Sequence, residues 1–382
     1  MIKIKAYGDI HLFFKLEEKD RYMIELTKMK EDIMNAKDLD VLVFCGDLMH
    51  TNYNMDNPVM IDIFNFVTDI VQICKKKNII FRNIKGTSSH DCQIVECLDR
   101  IYKNDSPNIR FIYEPEIEEL HFNDGDLTIR WMPETYVDET KYKEIIENIF
   151  NVYTDVTFFH GSIGSIAENV FKMDIKPTIL PKSMILPDDL LIRSNRYFTA
   201  GGHVHSPISI DNKIFYINSY TTHNFGDKTE KGHMEFYIYP RESRFEFKRI
   251  QNILAPRYIT TRINDIEKLD IIEIEKFIKT HILETKLNFN DKLKFRIYGT
   301  AGVEASKNIA YIQELCMPYK NIIIEPRLEY VIETKDDDPI DYQDMNITVE
   351  DKIYNLYKEN YGDVDINVIK DILNTEENKD VL

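Results

Sequence analysis

Residues 41–50, with the sequence VLVFCGDLMH, decide the fold of this chain. Five apolar residues, 41–45, are followed at once by Gly46 and Asp47. A short continuous apolar run that ends at a turn residue is typical of a parallel strand buried on both faces. Asp47 then follows the C-terminal end of that strand. The stretch therefore predicts an α/β fold with a polar site beside one sheet edge.

The same arrangement recurs in four other places in the first 205 residues. Between the first two predicted strands (residues 2–8 and 41–46), apolar side chains recur at helical spacing over about residues 17–37, and a second helix is predicted over 58–77. Alternating strands and helices predict a layered α/β core whose parallel strands end at one edge. The motifs expected there are Asp9-Ile10-His11, Ser89-His90-Asp91, His160-Gly161 and Gly202-His203-Val204-His205.

Mixed imidazole and carboxylate side chains are ligands for divalent metal ions. Two such ions about 3.5–4 Å apart hydrolyse a phosphodiester by clamping the attacking and leaving oxygens. Asp47 is the natural bridging ligand. For any one of these residues taken alone, a structural role is the simpler interpretation. Their repetition at strand ends favours a metal site. The first ion is assigned Asp9, His11, Asp47 and His205, and the second Asp47, His160 and His203.

Three further residues are candidates for catalysis. His90 is expected to protonate the leaving oxygen, with Asp91 as its orienting acceptor. Asp91 has an alternative role as the cap of a following helix. His50 is equally well interpreted as a phosphate contact or as a helix-start residue.

The composition is that of a folded globular protein. The chain has 382 residues, 43% of them hydrophobic, and its apolar runs are far shorter than the roughly 20 residues of a membrane helix. No signal peptide is recognisable, and the five cysteines have no metal-type spacing, so a cytoplasmic, intracellular protein is expected. A net charge of −17 argues against DNA binding, because DNA-binding proteins usually have a basic surface.

Three domains are predicted along the chain. Residues 1–250 form the domain that bears the motifs. Residues 251–335 alternate strands and helices and form a small α/β domain. Residues 336–382 contain most of the acidic segment ETKDDDPIDYQD, which spans 333–344, and continue as two short amphipathic helices without an obvious partner in the chain.

At these motifs the chain resembles the calcineurin-like metallophosphoesterases, and within them the SbcD-type exonuclease subunit of DNA double-strand-break repair complexes. The more specific signs are GDLMH at 46–50, the Ser89-His90-Asp91 motif and NFGD at 224–227. The resemblance covers about the first 250 residues well, and the remainder by architecture only. It implies a four-layer α/β/β/α metallophosphoesterase domain with a small α/β capping domain and a C-terminal helical tail.

The resemblance also implies a function. The expected activity is that of a manganese-dependent DNA exonuclease and endonuclease in repair and recombination, with two bound Mn²⁺ ions. The expected partners are DNA, an SMC-like ABC ATPase bound through the tail helices, and a second copy of the chain.

One position departs from the family pattern. The family has Gly-Asn-His-Asp, in which the asparagine binds the second metal. Here the segment is Gly86-Thr-Ser-Ser89-His90-Asp91, which assigns Ser89 to the asparagine position. A serine hydroxyl is a poorer ligand, so a weaker second metal site is expected.

Two other functions remain as alternatives. The acidic composition favours another dinuclear-metal phosphoesterase, acting on phosphoproteins or nucleotides. The altered second site favours a catalytically weak structural partner of the ATPase.

Overall fold

Two six-stranded sheets carry the predicted motifs, and a three-stranded sheet follows them along the chain. The computed structural model describes residues 1–13, 18–54, 56–91, 93–169, 182–227, 230–288 and 290–329. Within these residues the chain is mixed α/β, as predicted. The first sheet has the order β14-β13-β1-β2-β3-β4, formed by Arg244–Gln251, Gly232–Tyr239, Ile2–Tyr7, Val41–Cys45, Ile80–Ile84 and Ile109–Ile112.

The second sheet has the order β11-β12-β10-β8-β6-β5. Its strands are Ile208–Ile210, Ile214–Tyr216, Asn195–Gly202, Thr154–His160, Gly125–Met132 and Glu116–Phe122. Neighbours are parallel from β1 to β4 and from β12 through β10 and β8 to β6, whereas β5, β11, β13 and β14 pair antiparallel. Within each sheet the C-terminal ends of the parallel strands therefore share one edge.

The apolar run of β2 is buried on both faces, as the opening stretch predicts. Leu42 and Phe44 belong to a hydrophobic cluster with the helices α1 (Lys19–Asn35), α2 (Val59–Lys77) and α3 (Ile94–Tyr102). The alternate residue Val43 belongs to a second cluster, which also contains Phe158 of β8. A third cluster joins the opposite face of the second sheet to α4 (Glu139–Ile149), α5 (Gly164–Asn169) and α6 (Asp188–Arg193).

An ion pair between the buried Arg82 and the half-buried Glu118 connects the two sheets. Arg82 of β3 donates two hydrogen bonds to the Glu118 carboxylate of β5, at 2.9 and 2.6 Å. The Trp131 indole N–H of β6 donates to the same carboxylate at 3.0 Å. Burial alone would raise the pKa of Glu118, but these donors and the nearby Arg110 lower it. The Glu118 carboxylate therefore stabilises the fold in its ionised form.

Replacing Glu118 by glutamine is expected to destabilise the protein by about 3 kcal/mol at neutral pH, because the Arg82 charge is left buried and unpaired. A group with a lowered folded pKa contributes stability above its unfolded pKa and loses it as the pH falls. The difference between wild type and Glu118→Gln should therefore shrink below about pH 4.5. Urea unfolding at several pH values measures it, with the exposed neighbour Glu119→Gln as control. A difference that stayed constant with pH would contradict this role.

The small α/β unit alternates strands and helices up to residue 329, as predicted, but it is part of one compact body, Met1–Glu329, with the residues before it. Its sheet has the order β15-β16-β17, all parallel, with a core of its own between the sheet and helices α7 and α8. The Glu18 carboxylate, at the start of α1, accepts a hydrogen bond from the Tyr258 hydroxyl and pairs with Lys292. The strands β15, β16 and β17 are Tyr258–Ile263, Lys292–Thr300 and Ile322–Glu329, and the helices α7 and α8 are Ile271–Thr285 and Val303–Cys316.

Some expectations from the sequence need correction. Residues 162–194 have little clear periodicity in the sequence, but their described part contains α5, α6 and the short strand β9 (Lys182–Ser183), which pairs with β7 (Tyr136–Val137). The hairpin of β13 and β14 was not predicted. Residues 330–335 of the predicted capping domain and the tail 336–382 lie outside the described residues. No helix in the described part of the chain has the length and apolar character needed to cross a membrane.

Candidate metal centre

Residues at or just after the C-terminal ends of four parallel strands converge at one site. Asp9 and His11 follow β1, Asp47 follows β2, and His160 is the last residue of β8. His203 and His205 follow β10. The two sheets therefore each contribute ligand candidates to one crevice, as expected for groups at the C-terminal ends of parallel strands.

The first ligand cluster consists of Asp9, His11, Asp47 and His205. The Nε2 atoms of His11 and His205 lie 2.9 Å apart. An Asp47 oxygen lies 3.8 Å from His11 Nε2, and an Asp9 oxygen lies 3.8 Å from His205 Nε2. Asp9 Oδ2 and His11 Nδ1 are buried and have no hydrogen-bond partner among the described residues.

The second ligand cluster shares Asp47 with the first. Asp47 Oδ1 lies 3.3 Å from His160 Nε2, and ligand atoms of Asp47, His160 and His203 all lie within 4.8 Å of one another. His160 Nδ1 donates to the Cys45 carbonyl at 2.8 Å. That bond fixes the ring so that Nε2 faces Asp47, which is the usual way in which a metal-binding imidazole is oriented.

The backbone at this site is strained. Asp9, His11, Asp47 and His203 all have positive φ angles, between 42° and 95°. Left-handed backbone is unfavourable for non-glycine residues and is found preferentially at functional sites. Space is equally restricted at Gly46, where φ is +81° and a Cβ atom would lie 2.2 Å from His160 Nδ1.

Burial and charge shift the pKa values of these groups in opposite directions. Burial lowers the pKa of His205 to about 4 and that of His11 well below its ordinary value. Burial and the neighbouring Asp47 raise the pKa of Asp9 to about 7. Burial would also lower the pKa of His160, but Asp47 outweighs it and the pKa rises to about 10. The first cluster therefore presents neutral imidazoles, the form that binds metals.

His90 and His50 lie beside the first cluster, whereas Asp91 has a different position from the one predicted. The His11 ring lies 4.7 Å from the His90 ring and 5.5 Å from the His50 ring. His90 Nδ1 contacts the His50 carbonyl, so this carbonyl, and not Asp91, orients the His90 ring. Asp91 is fully buried and accepts hydrogen bonds from the backbone N–H groups of Met49 and Gly86. It connects two of the loops that carry ligand candidates.

The structure brings Thr87, and not Ser89, to the shared carboxylate. The Thr87 N–H donates to Asp47 Oδ1 at 2.7 Å, and Thr87 Oγ1 lies 3.4 Å from both Asp47 Oδ2 and His160 Nε2. Ser89 is exposed. The residue directly after Gly86 therefore contacts the shared carboxylate. The sequence reasoning missed Thr87, whose place directly after Gly86 was the available signal.

Two further residues at the site were not predicted. Glu134 follows β6 in the sequence Trp131-Met-Pro-Glu134, and its Oε2 lies 3.8 Å from His160 Nε2. His223 is buried, with its ring 4.8 Å from that of His11. Glu134 follows a parallel strand as the recognised motifs do, and that position was the available signal. His223 immediately precedes the NFGD segment.

Comparisons with known proteins do not identify the chain. No family model matches it, and no curated protein matches it. Among solved structures it is similar to the glutamine-dependent NAD⁺ synthetase from Acinetobacter baumannii in complex with adenosine diphosphate, at 9% identity and a TM-score of 0.35. That alignment covers 97% of this chain and 70% of the other. So distant a likeness carries no argument about the fold or the function.

Proposed function

We propose that this chain is a dinuclear-metal phosphodiesterase of the calcineurin-like type, and the DNA nuclease subunit of a repair complex with an SMC-like ATPase. One observation carries the proposal. The Asp47 carboxylate has one oxygen 3.3 Å from His160 of the second cluster and the other 3.8 Å from His11 of the first. A shared carboxylate between two sets of imidazoles is what a bridged pair of divalent ions requires.

The surroundings of Asp47 fit a pair of cations. Asp9 Oδ2 is buried without a hydrogen-bond partner among the described residues, and its burial costs free energy unless a partner is supplied. The facing Nε2 atoms of His11 and His205 offer lone pairs to a common point. Asp9, His11, Asp47 and His205 would hold one ion, and Asp47, His160 and His203 the other. Manganese is the proposed metal, by resemblance.

The proposed layout follows the four-layer α/β/β/α metallophosphoesterase arrangement. In support, one hydrophobic cluster contains residues of both six-stranded sheets, and separate clusters join each sheet to helices. Residues 251–335 would be the capping domain. The tail 336–382, by resemblance, would bind the ATPase.

When bound, the two metals would supply a hydroxide nucleophile and neutralise the charge on the phosphoryl oxygens. The protein's own contribution to proton transfer is assigned to His90. Because the His50 carbonyl can only accept, His90 Nδ1 must carry a proton. His90 in its imidazolium form can then donate its Nε2 proton to the leaving oxygen and remain a neutral ring in the same orientation.

The net charge of −17 favours a second candidate, a phosphoesterase whose substrate is not DNA. In the nuclease, the metals and the ATPase would have to provide most of the positive field that attracts the phosphates. The small α/β unit favours the nuclease, because a small-molecule phosphatase has no need of it.

Hydrolysis assays with the full chain test the proposal. Linear DNA and a bis-nitrophenyl phosphodiester are incubated with Mn²⁺, with and without the ATPase. Metal-dependent cleavage of DNA is expected. Hydrolysis of the small diester without DNA cleavage would select the second candidate, and no hydrolysis of either substrate would overturn the phosphodiesterase assignment.

Thr87 and Ser89 provide a matched pair for the second cluster. Thr87→Val removes the hydroxyl next to Asp47 and His160 while keeping the side-chain shape, and is expected to weaken binding of the second Mn²⁺ about tenfold. Ser89→Ala changes an exposed hydroxyl and should leave binding unchanged. Titration calorimetry measures both. A loss of affinity in Ser89→Ala but not in Thr87→Val would restore Ser89 as the ligand.

A further inference from the structure

We infer that Glu134 is a carboxylate ligand of the second divalent cation, alongside Asp47, His160 and His203. The inference rests on the proposed dinuclear site and adds to it an anionic ligand. Glu134 is 6% exposed, and its Oε2 accepts no hydrogen bond from any described residue. A buried carboxylate oxygen without a donor is costly, and a cation is the partner that removes this cost most completely.

The Glu134 Oε2 atom is directed towards the second cluster. Glu134 Oε2 lies 3.8 Å from His160 Nε2, on which Asp47 Oδ1 also converges at 3.3 Å. The other Glu134 oxygen is already occupied, because the Ser183 hydroxyl donates to Oε1 at 2.7 Å. One oxygen is therefore fixed by the protein and the other is left for a ligand.

The backbone holds Glu134 in place without help from a metal. Its N–H donates at 3.2 Å to the carbonyl of Lys85, the residue directly before Gly86. The next residue, Thr135, accepts a backbone hydrogen bond from Met184 at 2.8 Å. A carboxylate fixed in this way on two neighbouring segments is preorganised to bind a cation.

Glu134 also changes the chemistry of the proposed second site. With Asp47 it gives that site two carboxylates and two imidazoles, and the Thr87 hydroxyl stands next to them. Carboxylate oxygens favour Mn²⁺ and Mg²⁺, whereas sites dominated by imidazole suit zinc and copper. A second site with this ligand set is expected to bind manganese or magnesium without the DNA substrate.

Titration calorimetry of the metal-free full chain with Mn²⁺ alone tests the inference. Wild type is expected to bind two ions. Glu134→Gln keeps the side-chain shape but removes the charge. It should lower the affinity for the second ion about 10- to 100-fold and leave the affinity for the first ion unchanged. Equal stoichiometry and affinity in wild type and Glu134→Gln would overturn it.

Two further variants separate metal binding from a structural role. Ser183→Ala removes the hydrogen bond to Oε1 but keeps the carboxylate, so the second ion should still bind. A loss in Ser183→Ala equal to that in Glu134→Gln would mean that the hydrogen bond matters and the ligand does not. Glu235→Gln is the control, because it alters a buried carboxylate that pairs with Lys3 and Lys5. The Glu235→Gln protein should bind both ions.

The outcome for wild type distinguishes this inference from the proposed function. If wild type binds two ions and Glu134→Gln does too, Glu134 is not a ligand and the dinuclear phosphodiesterase still stands. If wild type binds no Mn²⁺, both the inference and the proposed function fail.

Discussion

Asp47→Asn is expected to abolish metal-dependent hydrolysis, lowering kcat/KM by about 10³-fold or more, which corresponds to ~4 kcal/mol of transition-state stabilisation. Asparagine keeps the size of the side chain but has only one oxygen, and its amide nitrogen is a donor that repels a cation. Because Asp47 faces both clusters, both Mn²⁺ ions should bind more weakly. Steady-state kinetics and titration calorimetry measure the two effects.

A matched control removes a carboxylate without touching the site. Asp126, on β6, is exposed and pairs with the exposed His121, so Asp126→Asn should retain full activity and bind both ions. Circular dichroism of Asp47→Asn shows whether the fold persists. A folded Asp47→Asn protein with activity within tenfold of wild type would show that Asp47 does not bridge two metals.

His90→Ala is expected to lower kcat by about 10²–10⁴-fold and to change metal binding little, because a general acid acts in the chemical step and holds no metal. A diester with a good leaving group needs less help from an acid. The loss should therefore be smaller for a nitrophenyl diester than for DNA. His121→Ala removes an exposed histidine and should behave as wild type.

The comparison of substrates identifies what His90 does. An equal loss of kcat with both substrates would contradict the proton-donor role and indicate that His90 is a substrate-binding residue. Loss of one Mn²⁺ in His90→Ala would make it a ligand instead.

Much of the fold could be predicted because strand ends have a strong local signature. The apolar run 41–45, followed by Gly46 and Asp47, predicts a buried strand and the residue at which it ends. The similar runs before Asp9 and His160 predict two more such strands and their ends. Parallel pairing then brings these tips to shared edges. The hairpin of β13 and β14 was missed because its strands carry no motif, and β14 is largely exposed.

The details of the site depend on contacts that no local pattern encodes. The choice between Thr87 and Ser89 follows from tertiary contacts, because the Thr87 N–H donates to Asp47 and Ser89 is exposed. Asp91 and His90 are adjacent in sequence, yet Asp91 accepts from Met49 and Gly86, and His90 contacts the His50 carbonyl. Glu134 lacks a recognisable motif, and its place after β6 is its only signal in the sequence, whereas its position beside His160 is seen only in the structure.

Anomalous diffraction from crystals of the full chain grown with Mn²⁺ tests the central claim most directly. Two manganese peaks about 3.5–4 Å apart, one on each side of the Asp47 carboxylate, are predicted. His11 and His205 should lie against one peak, and His160 and His203 against the other. A single peak remote from Asp47, or none at saturating Mn²⁺ with His11 Nε2 still bonded to His205 Nε2, would contradict the dinuclear site.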